Sequence, residues 1–152
     1  MLSVGDKIPD IELQNQDGKP VQLSQYRGKK VVLFAYPKAN TSGCTKQACG
    51  FRDQTPKLKA ASAVALGLSP DPPKALKKWQ AKEKFGYDLL SDPEHKLLEA
   101  LGAWGEKSMY GKKYMGVIRS HWVIGEDGTI LDAQVKVSPV ESVERATKFL
   151  AG

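Results

Sequence analysis

The sequence predicts an α/β protein: one mixed β-sheet flanked by helices, with a β-hairpin as an N-terminal extension. Three observations predict it. The run Val31-Val32-Leu33-Phe34-Ala35-Tyr36 is apolar throughout and stops at Pro37, the pattern of a strand covered on both faces in a mostly parallel sheet. A second apolar run, Val64-Ala65-Leu66-Gly67-Leu68, follows a helical segment, giving a β-α-β unit with the right-handed crossover normal for such connections. The last third then reads as a hairpin followed by an amphipathic helix.

Taken in order, Ile11-Glu12-Leu13 and Val21-Gln22-Leu23 alternate around the turn signal Asp17-Gly18 and form the N-terminal hairpin. After the central strand at Val31 to Tyr36, a polar loop from Lys38 to Gly43 leads into a helix from about Cys44 or Thr45 toward Leu58, with Gly50 or Pro56 as a kink point. Helical stretches follow near Pro73 to Phe85 and Pro93 to Leu101, then a Gly- and Lys-rich loop from Gly102 to Gly116. His121-Trp122-Val123-Ile124, Glu126-Asp127-Gly128 and Thr129-Ile130-Leu131 form the second hairpin. Pro139 suits a first-turn position, and Val140, Val143, Thr147 and Leu150 fall at helical spacing. A β-α-β half followed by a β-β-α half is the order of the thioredoxin architecture, an analogy of fold that leaves function open. No repeat, low-complexity segment or linker divides the chain, so residues 1–152 are expected to share one core.

At 152 residues, with 41% hydrophobic and 26% charged residues, the composition is that of a globular protein that folds without staples. No stretch approaches the roughly 20 apolar residues of a membrane span, and the start Met1-Leu2-Ser3-Val4-Gly5-Asp6 lacks a basic segment followed by an apolar one. A cytoplasmic location is the default expectation, with a nuclear one, or an organelle reached by a leader since removed, as alternatives. The net charge of +6 is spread over dispersed lysines, as in Lys74-Ala75-Leu76-Lys77-Lys78-Trp79-Gln80-Ala81-Lys82-Glu83-Lys84, which reads as a solvated helix face. With no nucleic-acid motif and scattered tryptophans at 79, 104 and 122, no nucleic acid partner is expected. Two cysteines and two histidines, His95 and His121, lack the tight spacing of a zinc site, so no metal is expected either and each histidine reads as an ordinary satisfied side chain.

The two cysteines are too few for a disulfide framework and read as catalytic, metal-binding or inert. Cys44 stands just past the carboxyl end of the central strand at the start of a helix, where open α/β sheets gather ligands and unpaired N–H groups face an anion. Helix N-termini and nearby cations favour the thiolate, which makes this a position for a nucleophile. Three residues earlier, the Thr41 hydroxyl is placed to accept from a helix N–H or to donate to an oxygen lying against the sulfur. Pro37 ends the strand and is placed to shield the sulfur from water, and Gly43 offers backbone freedom at a tight approach. Arg119 is the candidate cation. It stands just before the His121 to Ile124 strand, expected beside the central one, and its planar guanidinium can hold both a thiolate and an oxygen lying against it.

Pro37-x-x-x-Thr41-x-x-Cys44, with an arginine at 119, resembles the active-site signature of peroxiredoxins. The second cysteine in Cys44-Thr45-Lys46-Gln47-Ala48-Cys49-Gly50-Phe51-Arg52-Asp53 is similar to the bacterioferritin comigratory protein, or peroxiredoxin Q, subfamily. The likeness runs from Val4-Gly5-Asp6-Lys7-Ile8-Pro9-Asp10 through Leu89-Leu90-Ser91-Asp92 to Arg119-Ser120-His121-Trp122-Val123-Ile124. It departs at Ala35, Ala39 and Ser42, where that subfamily usually carries an aromatic, an aspartate and a proline, residues that bear on loop rigidity and local charge.

The resemblance implies a thiol peroxidase without a cofactor. The Cys44 thiolate attacks a hydroperoxide and becomes a sulfenic acid, Thr41, Gly43 and Arg119 bind the peroxide, Cys49 resolves the sulfenic acid to a disulfide, and thioredoxin or a glutaredoxin-like dithiol protein resets it. A monomer is expected, with a weak dimer as the alternative. Spacing adds one condition: five residues along an ideal helix give ~7.5 Å of rise and ~140° of rotation, hence Cα atoms roughly 8 to 9 Å apart, whereas a disulfide needs less than about 7 Å. If both cysteines share an intact helix, its first turns must melt before the bond closes, and Gly50 eases that change. The rival readings are a dithiol oxidoreductase, against which the four intervening residues speak because such enzymes normally use Cys-x-x-Cys, and a binding module for metal or nucleic acid. Trp104 and the Tyr110-Gly111-Lys112-Lys113-Tyr114 segment are placed equally well at a peroxide pocket, at a partner surface or in plain packing.

Overall fold

A computed structural model describes residues 2–151. The central apolar run forms β3 (Lys30–Ala35), flanked by a parallel strand β4 (Ala63–Ser69) and an antiparallel strand β8 (Ser120–Ile124). With β1 (Leu13–Gln14), β2 (Pro20–Val21), β5 (Leu89–Ser91) and β9 (Ile130–Val135), these make one mixed sheet in the order β2-β1-β5-β4-β3-β8-β9. The N-terminal hairpin is therefore the edge of the main sheet, joined to it through β1 and β5. Neither β5 nor its role as a bridge is expected from the sequence, since three residues carry too little periodicity to announce a strand.

Side chains of β3 alternate between two cores. Val31, Leu33 and Ala35 pack with Leu97, Leu98, Leu101 and Trp122 on one face, while Val32, Phe34 and Tyr36 pack with Ala48, Phe51, Leu58, Leu76 and Trp79 on the other. The strand is thus covered twice, as its unbroken apolarity requires. Helices α1 (Ser42–Asp53), α2 (Thr55–Ala60), α3 (Pro73–Glu83) and α5 (Pro139–Ala151) supply the second face, and α4 (Lys96–Ala100) the first.

Two expectations change. The helix expected to run toward Leu58 is two helices, broken at Gln54; Pro56 clashes with a continuing helix at the carbonyl four residues back, so the first one stops before it. Gly50 does not interrupt α1, which runs on to Asp53; its missing side chain makes room for α5, since a Cβ there would come within 2.6 Å of Val143 Cγ2. The segment expected as a loop from Gly102 to Gly116 is a second sheet, a two-stranded hairpin of β6 (Trp104–Met109) and β7 (Lys112–Val117). Its turn, Tyr110-Gly111, has φ of 52° and 78°, the geometry that favours tight hairpins. Among the described residues no helix is long and apolar enough to cross a membrane.

Candidate active site

Strand register brings the site together. Ser120 of β8 pairs with Ala35 of β3 in antiparallel register, so Arg119 emerges at the carboxyl end of β3, where the chain turns into α1. Cys44 is the third residue of α1, and the first intrahelical bond visible there runs from the Thr45 N–H to the Thr41 carbonyl at 2.8 Å. The amides of residues 42 to 44 therefore lack acceptors within the helix and present donors to an anion. Cys44 itself is 1% exposed. Its sulfur accepts from Arg119 Nη2 at 3.3 Å, so the charge needed beside a buried thiolate is in place.

Gly43 has a steric task. A Cβ at this position would stand 3.1 Å from Arg119 Nη2 and 3.6 Å from Pro139 Cγ, so the missing side chain is what lets the guanidinium reach the sulfur. Pro37 is half-buried in the link between β3 and α1. Thr41 is the exposed residue that caps α1 by position, but its hydroxyl donates to the Lys38 carbonyl at 2.7 Å instead of bonding a helix amide. Returning to a carbonyl three residues back ties down the loop. The same loop is pinned by Asp71, whose carboxylate accepts from the Ala39 N–H and the Ser69 hydroxyl, both at 2.8 Å. Ser42 takes the first helical position, one that proline also suits.

Several partners are invisible in the sequence. Gln47, fully buried, accepts from Arg119 Nη1 at 2.8 Å through Oε1, so the guanidinium is held by α1 as well as by its own strand link. Lys107 of β6 donates to the Val117 carbonyl at 2.9 Å; burial depresses its pKa, Arg119 adds to that, and Cys44 opposes it. The β6-β7 hairpin thus brings a second cation toward the sulfur, while Trp104 stacks on His95 at 3.7 Å between ring centres. Cys49 lies on the same helix, half-buried, with its Sγ donating to Glu83 Oε1 at 3.8 Å. Burial pushes its thiol pKa up, Glu83 and Asp53 push it further, and Arg52 pulls it back. Both cysteines are free, and α1 is tethered between them, where the Tyr87 hydroxyl donates to the Ala48 carbonyl at 2.6 Å. Among the described residues no three His, Cys, Asp or Glu side chains converge on a point where a metal ion would be held.

The AhpC/TSA family model matches residues 4–133. The chain belongs to that family of peroxiredoxins. It is 45% identical to peroxiredoxin Bcp of Escherichia coli over 129 residues, which is 85% of this chain and 83% of the relative. It is 40% identical to peroxiredoxin Bcp of Bacillus subtilis over 149 residues, 98% of this chain and 95% of the relative. A crystal structure of peroxidoxin BcpB from Mycobacterium tuberculosis superposes with a TM-score of 0.88 at 35% identity, covering 99% of this chain and 97% of the other. Xanthomonas campestris peroxiredoxin Q gives 0.90 at 30% identity, with 97% and 96% covered. This peroxiredoxin is thus a thiol-dependent peroxidase of the Bcp and peroxiredoxin Q type, an oxidoreductase on a thioredoxin-like mixed sheet.

Proposed function

We propose that Cys44 is the peroxidatic residue and Cys49 the resolving one, and the contact from Arg119 Nη2 to the Cys44 sulfur at 3.3 Å is the observation that carries this reading. The Cys44 thiolate attacks the distal oxygen of a hydroperoxide, forming an S–O bond as the O–O bond breaks. The departing alkoxide or hydroxide takes a proton and leaves as alcohol or water, and the sulfur is oxidised by two electrons to a sulfenic acid. Arg119 and the first-turn amides around Gly43 are fixed donors for the charge that builds on the leaving oxygen, a role that needs no reorganisation during the reaction. Pro37 and Thr41 shape the loop that faces the peroxide.

The Cys49 thiolate then attacks the Cys44 sulfenic sulfur, forming the S–S bond as the S–O bond breaks; the expelled hydroxide takes up a proton, such as the one Cys49 released, and leaves as water. Because both cysteines lie within one helix, closure requires α1 to unwind and the Tyr87 to Ala48 bond to break. A dithiol protein such as thioredoxin or a glutaredoxin-like partner then returns both sulfurs to thiols. Both hydrogen peroxide and organic hydroperoxides are proposed substrates; alkyl peroxide reduction is an activity of the Xanthomonas campestris bacterioferritin comigratory protein, which is 29% identical to this chain. The same reading takes the protein as a monomer acting in the cytoplasm, with residues 1–152 as one domain; the one-domain part is supported by the seven-stranded sheet, whose strands come from Leu13 through Val135.

The test is peroxide turnover with thioredoxin as reductant. The Cys44→Ser variant is expected to show none, and Cys49→Ser one rapid oxidation per chain and then a stall that a small thiol relieves. Full turnover by Cys44→Ser would remove the reading.

A further inference from the structure

The contact between Arg119 and Gln47 opens a chain of buried polar groups that the peroxidase chemistry above does not use. Gln47, Ser142 and His121 are each 0% exposed. Gln47 Nε2 lies 3.0 Å from Ser142 Oγ, and Ser142 Oγ lies 2.8 Å from His121 Nδ1. Three elements meet there: α1 brings the glutamine, α5 the serine and β8 the histidine.

Elementary hydrogen-bond chemistry fixes the first two links and orients the third. A guanidinium only donates, so Gln47 must turn its oxygen to Arg119 and its amide nitrogen to Ser142. Ser142 Oγ then accepts a hydrogen bond from the Gln47 amide, and the neighbour left for its own O–H to donate to is His121 Nδ1. An imidazole that accepts at Nδ1 and stays neutral carries its proton on Nε2. That Nε2 has no hydrogen-bond partner among the described residues, and Asp132 Oδ2 stands 3.9 Å away from it. A proton added at Nδ1 would oppose the donor from Ser142 and leave that hydroxyl without an acceptor in a fully buried site. Arg145 faces the ring as a further cation, Asp132 as the anion, and the Phe51 ring meets it edge-on at 6.5 Å.

We infer that Gln47, Ser142 and His121 form a positioning relay that orients the Arg119 guanidinium against the Cys44 sulfur, with neutral His121 as its terminal acceptor. This rests on the assignment of Cys44 and Arg119 given above, and it makes His121, which touches neither the sulfur nor the guanidinium, a positioning residue for peroxide reduction.

Two rates measured on the same variants test it: oxidation of Cys44 by hydrogen peroxide, and alkylation of Cys44 by iodoacetamide, which needs a reactive sulfur but no oriented O–O bond. Ser142→Ala and His121→Leu break the relay, whereas His121→Asn keeps an acceptor near the Nδ1 position. The expected result is that the first two lower the ratio of peroxide to alkylation rate about tenfold, the scale of one mis-set buried hydrogen bond, and that His121→Asn restores most of it. A lowered melting temperature with an unchanged ratio would overturn the inference, because that is what a purely structural role produces. Should either variant fail to fold, nitrogen-15 NMR of His121 in the unaltered chain decides: an Nε2–H neutral ring supports the relay, and an Nδ1–H or protonated ring overturns it. Loss of all peroxide reactivity on Cys44→Ser tests the underlying assignment separately, since it does not depend on the state of His121.

Discussion

Cys44 and Cys49 sit five positions apart on one helix and are treated in opposite ways. The sulfur of Cys44 is buried against a guanidinium at 3.3 Å, in the first helical turn. The sulfur of Cys49 is half-buried, donates to the Glu83 carboxylate at 3.8 Å, and has its pKa pushed up by burial and by neighbouring acids. In the proposed reaction the first environment, a guanidinium and first-turn amides, surrounds the sulfur that meets the peroxide, and the second holds its sulfur as a thiol until a sulfenic acid has formed. On the proposed reading, the difference teaches that the order of the two oxidation steps is set by electrostatics at two positions of one short helix. Chemical identity alone cannot impose it, since both residues are cysteines.

The largest break in this asymmetry is expected from Arg119→Met, which removes the cation and leaves the buried sulfur with the first-turn amides alone. Loss of one preorganised donor at a reacting oxygen costs roughly 100- to 1000-fold, so the second-order rate of Cys44 oxidation, followed by tryptophan fluorescence in stopped flow, should fall by that order. Arg119→Lys should recover little, because an ammonium cannot span the sulfur and the Gln47 oxygen together. A loss below about fivefold would mean that the amides suffice and that Cys44 is not distinguished from Cys49 by this contact.

A second break works from behind Cys44, through pH. Burial depresses the His121 pKa to about 4; Asp132 opposes the shift and Arg145 adds to it. In the unfolded chain the same group titrates near 6.5. Between these two values the unfolded chain binds the extra proton and the folded one does not, so stability is complete above about pH 6.5, falls as pH drops toward 4 and levels off below it. The loss is about 3 kcal/mol as an upper order of magnitude. Urea unfolding of the reduced protein at pH 7 and pH 4.5 should show that slope, and His121→Asn should flatten it. An identical slope in both proteins would show that His121 is not the source of acid sensitivity on the Cys44 side.

Much of this asymmetry is legible in the sequence, and the missing part has physical causes. Cys44 is identifiable because a cysteine after an apolar strand and before a helix lies where anion-binding amides gather, and Arg119 because antiparallel pairing of its strand with the central one carries the residue before it to that end of the sheet. Thr41 stands where its position at the helix start predicts but makes a different bond: a hydroxyl there has both an amide and a carbonyl within reach, and composition does not choose between them. Gln47, Ser142 and Glu83 leave no local signal because each acts through a contact between elements far apart in sequence, 95 residues for Gln47 with Ser142 and 34 for Cys49 with Glu83. His121 reads as satisfied in the sequence, whereas only one of its ring nitrogens is bonded. The β6-β7 hairpin reads as a loop because most of β7 is exposed, so no apolar face marks the strand period.

A third variant sharpens the contrast from inside the Cys44 pocket. Gly43→Ala places a methyl group about where Arg119 Nη2 now approaches, at 3.1 Å, so the guanidinium must withdraw by a few tenths of an ångström. A displacement that small at a charged contact is expected to slow Cys44 oxidation about tenfold, with Cys49 chemistry unchanged. Equal rates for the two proteins would show that Arg119 has room to adjust.

The smallest effect is expected at the other cysteine. Glu83→Gln keeps an acceptor for the Cys49 thiol and removes one of the negative charges that raise its pKa, while the burial that contributes most remains. The Cys49 thiolate fraction at neutral pH should therefore rise, though only a few-fold, because the group is partly solvated and water and salt screen the charge. Disulfide closure after a single peroxide addition should quicken by the same factor if thiolate supply limits it, and stay constant if unwinding of α1 does. Measuring closure at two pH values separates the cases. A rate set by the thiolate climbs with pH in the parent and reaches its plateau at lower pH in Glu83→Gln, whereas a rate set by helix opening is flat in both. The second outcome would place the reserve of Cys49 in the helix that holds it, and the carboxylate beside it would cease to matter to the order of the two steps.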